Sequence, residues 1–351
     1  AIVFMDWSKA NSSSHMTCRL PPKSYNHISG QRLLVSRIEF SKMLENHEEF
    51  LAEYVRDGVV ESKHFGHLIV LDSKGEAVLV KGDPNALVYP RSAIKSIQAS
   101  AMVRKGLDPS LRHLALICAS HSGSAEHQQG ALEILKGAGL DESDLQCVPD
   151  RPIGVEERKE WGDKEPTRLA MNCSGKHAGM LATCIKNNWP TENYLDPSHP
   201  LQVAIREELE DLAGEKVAKI SVDGCGAPLF LMSMIGFAKA FHNLAVSSDP
   251  IHKRVIEACL ANPVLVAGNG RGDTELMKKV PGLFMKVGAE GVQSAFFKDG
   301  TTVFFKVSDG SERAHQLILQ SAFAKAGVNF EVKRPEVLGG GKVIGDIRAA
   351  L

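Results

Sequence analysis

Ser92 and Lys95, three residues apart in Tyr89-Pro90-Arg91-Ser92-Ala93-Ile94-Lys95, are the first pair in this chain that could do chemistry. A hydroxyl is a weak nucleophile until a base takes its proton. A lysine kept neutral by burial and neighbouring cations is such a base. Pro90 stands just ahead of an apolar pattern of helical period, so Ser92 falls in the first turn of a helix. Residues three apart share a helix face, which directs hydroxyl and amine into one space. The helix start adds N–H donors where an oxyanion can form. Ser-x-x-Lys also arises by chance, and then marks only a helix start with an exposed lysine.

Further polar clusters follow. The apolar run at 114–119 feeds Ser120-His121-Ser122-Gly123-Ser124, which brings hydroxyls and an imidazole to a helix start. Ser122 and Ser124 read equally as helix caps. Asn172-Cys173-Ser174-Gly175-Lys176-His177 is a turn of small residues that lets backbone approach closely. Asp223-Gly224-Cys225-Gly226 is a glycine-bracketed loop at a strand end. Its cysteine reads as a site residue or as a buried structural thiol. Lys286-Val287-Gly288 lies on a predicted strand. The glycine-rich stretch at 267–273 lacks a preceding strand and a phosphate-loop lysine, which excludes nucleotide binding.

The elements that must position these groups form a mixed α/β (α+β) pattern. Strands are predicted at 51–56, 67–71 and 77–81, the last two joined by a turn at 72–75. The Ser92 helix runs to about 105, and further helices read at 125–136, after 171 to about 187, 200–212, 228–240 and 250–260. A short strand at 220–222 precedes the Asp223 loop. Strands at 283–287, 292–297 and 303–307 are antiparallel, with Asp299-Gly300 as a hairpin turn, and a helix at 311–326 stops at Gly327. The expected organisation is a sheet-containing part (47–106 and 281–328), a mainly helical part (107–280) and a poorly patterned tail (329–351). Residues 1–46 are weakly patterned, with a short helix at 33–44, and 1–16 reads as a leader.

Composition narrows the partners. With 41 Lys and Arg against 42 Asp and Glu, the net charge is −1, so nothing favours nucleic acid or an anionic membrane. No apolar run approaches a membrane span. Seven cysteines, an odd number without a secretory pattern, point to reduced thiols in a cytoplasmic setting, some of them available to a metal.

The order Ser92-x-x-Lys95, Ser120-His121-Ser122, Lys286-Val287-Gly288 resembles the serine–lysine acyl enzymes: penicillin-binding proteins, class A β-lactamases and serine glutaminases. It departs from their second and third motifs, since Ser120-His121-Ser122 stands for Ser-Asp-Asn and Val287 for Thr. A closer resemblance is to the rhizobial-type (asparaginase II) L-asparaginases. It is carried by Val59-Val60-Glu61-Ser62, Pro90-Arg91-Ser92-Ala93, Cys118-Ala119-Ser120-His121-Ser122-Gly123, Asn172-Cys173-Ser174-Gly175-Lys176-His177 and Val222-Asp223-Gly224-Cys225-Gly226. Gly268-Asn269-Gly270-Arg271 and Gly288-Ala289-Glu290-Gly291 continue it. The match spans about 51–310, leaving leader and tail outside.

This resemblance implies an antiparallel sheet flanked by helices, as in the serine β-lactamase and glutaminase-like fold. It also implies a homodimer that hydrolyses L-asparagine to L-aspartate and ammonia. Ser92 would be the nucleophile and Lys95 its base. Ser120 and Lys286 would form a second pair, with Ser122 and Lys306 as competing assignments. The family places zinc on Cys173, Lys176 and Cys225. Arg91, His177 and Asp223 would touch substrate or orient the ligands. A lysine base implies an alkaline pH optimum. Glutamine or a β-lactam as substrate, or a non-enzymatic amino-acid or metal binder, are the rival readings.

Overall fold

The computed structural model describes residues 47–351, so Cys18, the leader and the helix expected at 33–44 lie outside the described residues. The chain opens with β1 (Glu49–Arg56), β2 (Val59–Leu71), β3 (Ala77–Lys81) and the short β4 (Leu87–Val88). A single 3₁₀ turn, Arg91–Ile94, leads into α1 (Lys95–Arg104). The helical block follows: α2 (Leu111–Ile117), α3 (Ala125–Gly137), α4 (Val155–Trp161), α5 (Ser174–Lys186) and α6 (Pro200–Ala213). Then come β5 (Lys219–Val222), β6 (Pro228–Ser233), α7 (Met234–Val246), α8 (Pro250–Ala261), α9 (Pro263–Val266) and α10 (Gly272–Lys279). The chain closes with β7 (Phe284–Gly288), β8 (Val292–Phe296), β9 (Thr302–Val307), α11 (His315–Lys325), β10 (Glu336–Gly339) and β11 (Lys342–Ala349).

The main sheet is antiparallel in the order β10-β11-β1-β2-β9-β8-β7, with β3 pairing the far end of β2. A small second sheet runs β4-β6-β5. Side chains alternate faces along a strand, and β9 uses both. Phe304 packs on Phe237 and Phe241 of α7, whereas Phe305 meets His315 of α11. The sheet is therefore covered by the helical block on one face and by α11 on the other. The β7–β8 register places Lys286 opposite Ser294 and Val287 opposite Gln293, and the β8–β9 register places Ser294 opposite Phe304. Lys286 thus shares the Phe304 face toward the helical block, and Val287 and Gln293 share the Phe305 face toward α11.

Local signals decide where helices begin and end. His199 caps α6 ahead of Pro200, and Gly214 at φ +65° ends it in the left-handed conformation that glycine adopts at no steric cost. Ser124 caps α3, with His127 completing a capping box. In α1 every residue from Lys95 to Met102 is buried, so this helix is an axle inside the fold rather than a half-exposed surface element.

Two expectations are corrected. Residues 228–240 are not one helix: Pro228–Ser233 is a strand between β4 and β5, and the helix starts only after Ser233 caps it. Proline is tolerated at the first position of a strand, and the wholly buried Leu229-Phe230-Leu231-Met232 run suits a central strand. The poorly patterned tail supplies β10 and β11, and β11 pairs with β1 from Ala52 opposite Ala349 to Arg56 opposite Gly345. Its alternation is interrupted by Gly339, Gly340, Gly341 and Gly345, which hides the period.

Candidate active site

Ser92 lies in the 3₁₀ turn ahead of α1 and is half-buried. The residue before it, Arg91, sits at φ +51°, a region non-glycine residues rarely enter and one that collects at functional sites. Strand β7 presses against this turn, since a Cβ on Gly288 would collide with the Pro90 carbonyl. The glycine of Lys-x-Gly is thus what lets the strand carrying Lys286 reach the turn carrying Ser92. The Ser92 hydroxyl makes no hydrogen bond among the described residues.

Lys95 is 1% exposed, and its amine is aimed at the centre of the fold. Nζ donates to Ala119 O at 2.5 Å, to Ser120 Oγ at 3.0 Å and to Cys173 Sγ at 3.1 Å. The hydroxyl bonded to Lys95 is therefore Ser120, brought in from after α2, and Ser92 makes no such bond.

Lys286 is fully buried, and its Nζ donates to Val287 O at 2.9 Å. Burial pushes its pKa down to about 7, the Asp273 carboxylate pulling the other way and the Lys95 and Arg271 charges adding to the fall. Lys95 and Cys173 both act on its charge. No hydrogen bond joins it to Ser120 among the described residues. The competing residues have other partners. Ser122 Oγ donates to Ala267 O at 3.0 Å. Lys306 Nζ donates to Glu290 O at 2.5 Å and Val307 O at 2.8 Å, and burial lowers its pKa.

The thiols of Cys173 and Cys225 and the amine of Lys176 converge. Lys176 Nζ lies 3.1 Å from Cys225 Sγ, and Cys173 hydrogen-bonds Cys225. The Cys173 hydrogen bond, with the Lys176 charge, holds the Cys225 thiol far below its ordinary range, whereas Cys173, as donor and buried, is pushed up. Burial works to lower the Lys176 pKa, but the Cys225 and Cys173 thiolate charges and Asp223 outweigh it and raise it. Beside them His177 is fully buried; its Nδ1 is 2.7 Å from Tyr194 Oη, and its ring lies against the Cys225 thiol and helps to lower it. Among the described residues no three His, Cys, Asp or Glu side chains group as a metal site. A site here needs the lysine. Two thiolates with a nitrogen donor suit zinc, and His177 sets one more nitrogen beside Cys225. The residues therefore fit the ion.

Arg91 Nε donates to Asp223 Oδ1 at 2.7 Å, with both side chains partly exposed. Among the described residues the Arg91 Nη groups make no hydrogen bond. A cation and a carboxylate side by side can receive the two charged ends of an α-amino acid.

Tyr194 and Asp273 are not singled out by the sequence, and His121, which is, has partners that the sequence does not give. Tyr194, wholly buried, positions His177 from a loop. Asp273, 4% exposed, accepts from Val287 N at 2.8 Å and so ties α10 to β7. His121, between the two serines of its motif, is buried against Ser174 Oγ at 2.9 Å, stacks on His127 and is kept neutral by burial.

Comparison with known families matches the L-asparaginase II family over residues 52–349. That span includes β10 and all of β11, beyond the 51–310 range of the sequence resemblance. Comparison with curated proteins finds no match. Among solved structures, the chain is similar to a protein from Bacteroides dorei DSM 17855 described as a candidate beta-lactamase. The identity is 15% and the TM-score 0.40, over 69% of this chain and 84% of that one. It is also similar to EstCE1, a hydrolase with promiscuous acyltransferase activity, at 11% identity and TM-score 0.35, over 78% of this chain and 92% of that one. With a family match running almost the full length of the described fold, the chain belongs to the L-asparaginase II family and is a hydrolase of the amide-cleaving kind.

Proposed function

We propose that the protein hydrolyses L-asparagine to L-aspartate and ammonia through an ester on Ser92. The observation that carries this reading is the turn held against β7 at Gly288, which sets Ser92 three residues ahead of the buried Lys95 amine. In the proposed course, Arg91 takes the substrate carboxylate and Asp223 its ammonium. The Ser92 oxygen attacks the side-chain amide carbon and its proton passes to the lysine amine. The oxyanion is met by N–H groups of the turn. The C–N bond breaks as the nitrogen receives a proton through Ser120, and ammonia leaves. Water then adds to the ester carbon, the Ser92 oxygen departs with a proton, and aspartate is released. Lys286, near neutrality in its pKa, can both hold and give up a proton at this pH.

Zinc would be held by Cys173, Lys176 and Cys225, with Lys176 losing its proton on binding. When bound it supplies a Lewis acid and fixed positive charge at the pocket wall. The six free cysteines among the described residues are all buried, which suits a reducing cytoplasm, and no described helix is long and apolar enough to cross a membrane. A homodimer belongs to the same proposal.

One observation favours a second assignment, with Ser120 as nucleophile: it is the hydroxyl that Lys95 contacts. Ammonia release from asparagine and from glutamine, by wild type, Ser92→Ala and Ser120→Ala, decides between them. Ser92→Ala is expected to lose at least about a thousandfold in kcat with its fold intact, and Ser120→Ala to lose less. Wild-type rates from Ser92→Ala would exclude Ser92. Glutamine turned over faster than asparagine, or covalent labelling by penicillin, would shift the substrate class.

A further inference from the structure

A second polar pocket lies on the other face of the sheet from Lys286. Its floor is Met285 and Val287 of β7, and its walls are the first residues of α10, the approach to α11 and the opening turn of that helix. By the strand register this is the Phe305 face, so strand β7 separates it from the Lys95 cluster. The volume is about 270 Å³. At about 30 Å³ per water-sized group, that admits roughly nine heavy atoms, the size of a small amino acid.

The lining is charged; Asp273, Gln293 and Arg313 have protein partners, and the other polar side chains are largely unspent. Arg271 and Glu312 face the same space and act on each other's charge, yet neither side chain makes a hydrogen bond or close ion pair among the described residues. Gln316, on the same wall, has no side-chain hydrogen bond either. His315 is 5% exposed; its Nδ1 lies 3.4 Å from Gln293 Oε1, and its Nε2 has no partner of hydrogen-bonding geometry. The Ser311 main chain lies near this ring without completing a bond. A buried polar nitrogen without a partner is unfavourable, and a ligand in the pocket would relieve it.

We propose that this pocket is a second binding site, for a free α-amino acid, separate from the catalytic centre. Arg271 takes the carboxylate in a forked pair and Glu312 takes the ammonium. Gln316 and His315 meet the polar end of the ligand. A lone anion would leave Glu312 opposed, and a lone cation would leave Arg271 opposed, so the zwitterion is the class that satisfies both.

The test uses the full chain with Ser92→Ala and Ser120→Ala combined, so that no substrate is consumed under either assignment, and titrates the proteinogenic L-amino acids singly by calorimetry. At least one is expected to bind saturably. Its affinity should fall roughly tenfold or more in Arg271→Gln and in Glu312→Gln. Gln316→Leu, which alters no charge, should weaken it less. The methyl ester of that amino acid should lose the dependence on Arg271, and its N-acetyl form the dependence on Glu312. Absence of saturable binding by every amino acid overturns the proposal. So does binding that either charge substitution leaves unchanged, which would assign the heat to the catalytic centre. Since binding is read without turnover, the outcome stands apart from whether asparagine is the substrate.

Discussion

Lys286 shows how far one residue's chemistry is set by its surroundings. An exposed lysine is charged well above neutrality, whereas this one reaches a pKa of about 7 because burial disfavours its ammonium. If the reaction needs its neutral amine, kcat/KM rises as pH climbs through about 7 and then levels. Asp273 acts in the opposite sense, raising the pKa, so Asp273→Asn should move that limb to lower pH. An unmoved limb in the pH profile would assign the titration to another group. The same burial makes Lys286 a cost to the fold. The unfolded chain holds this proton up to a higher pH than the folded one, so its contribution to stability is lowest below about 7 and improves as pH rises toward the ordinary lysine value. Lys286→Met should therefore melt higher than wild type at neutral pH while losing activity. At the cysteines, Cys173→Ser combined with Cys225→Ser should remove bound zinc; unchanged zinc by elemental analysis would end that assignment. None of these environments was legible in the sequence. The residue types were: Ser92, Lys95, Ser120, Lys286 and the Cys173, Lys176, Cys225 set all stand out as motifs, but their partners do not.

At the scale of elements, short-range rules carried most of the reading. The C-terminal strands and the helices headed by Pro200 and Pro250 are found where apolar period and caps place them. Pro228 misled because proline opens strands as well as helices, and only the pairing of β6 with β4 and β5 tells which. The contact between β7 and the 3₁₀ turn is the element-level feature on which the site depends. Gly288→Ala sets a methyl group against the Pro90 carbonyl. It should cost about 1–3 kcal/mol by denaturant titration and lower kcat more than it raises KM. A stability change without a kcat change would show that the turn position does not matter to turnover.

For the whole described fold, the sheet is closed only by its last strands. The β11 strand covers β1, and Val337 and Ile347 are buried in doing so. Truncation after residue 335 would expose the β1 edge along the register from Ala52 to Arg56. The expected result is a lower melting temperature and faster aggregation at equal concentration. Retention of wild-type melting would mean that β10 and β11 are dispensable. The tail was illegible because glycines break its alternation and because a strand's need for a neighbour is not written in its own residues.

What the sequence determined by itself is the inventory: the nucleophile candidates, the amines, the thiols and the elements that hold them. Periodicity and capping act over a few residues, so they can be read along the chain. The tertiary structure alone decided the partners. Lys95 meets Ser120 across 25 residues and Cys173 across 78, and Lys176 meets Cys225 across 49. Contacts at such separations follow from how buried elements pack, and packing fixes both which hydroxyl receives the amine and which lysine loses its proton near neutrality.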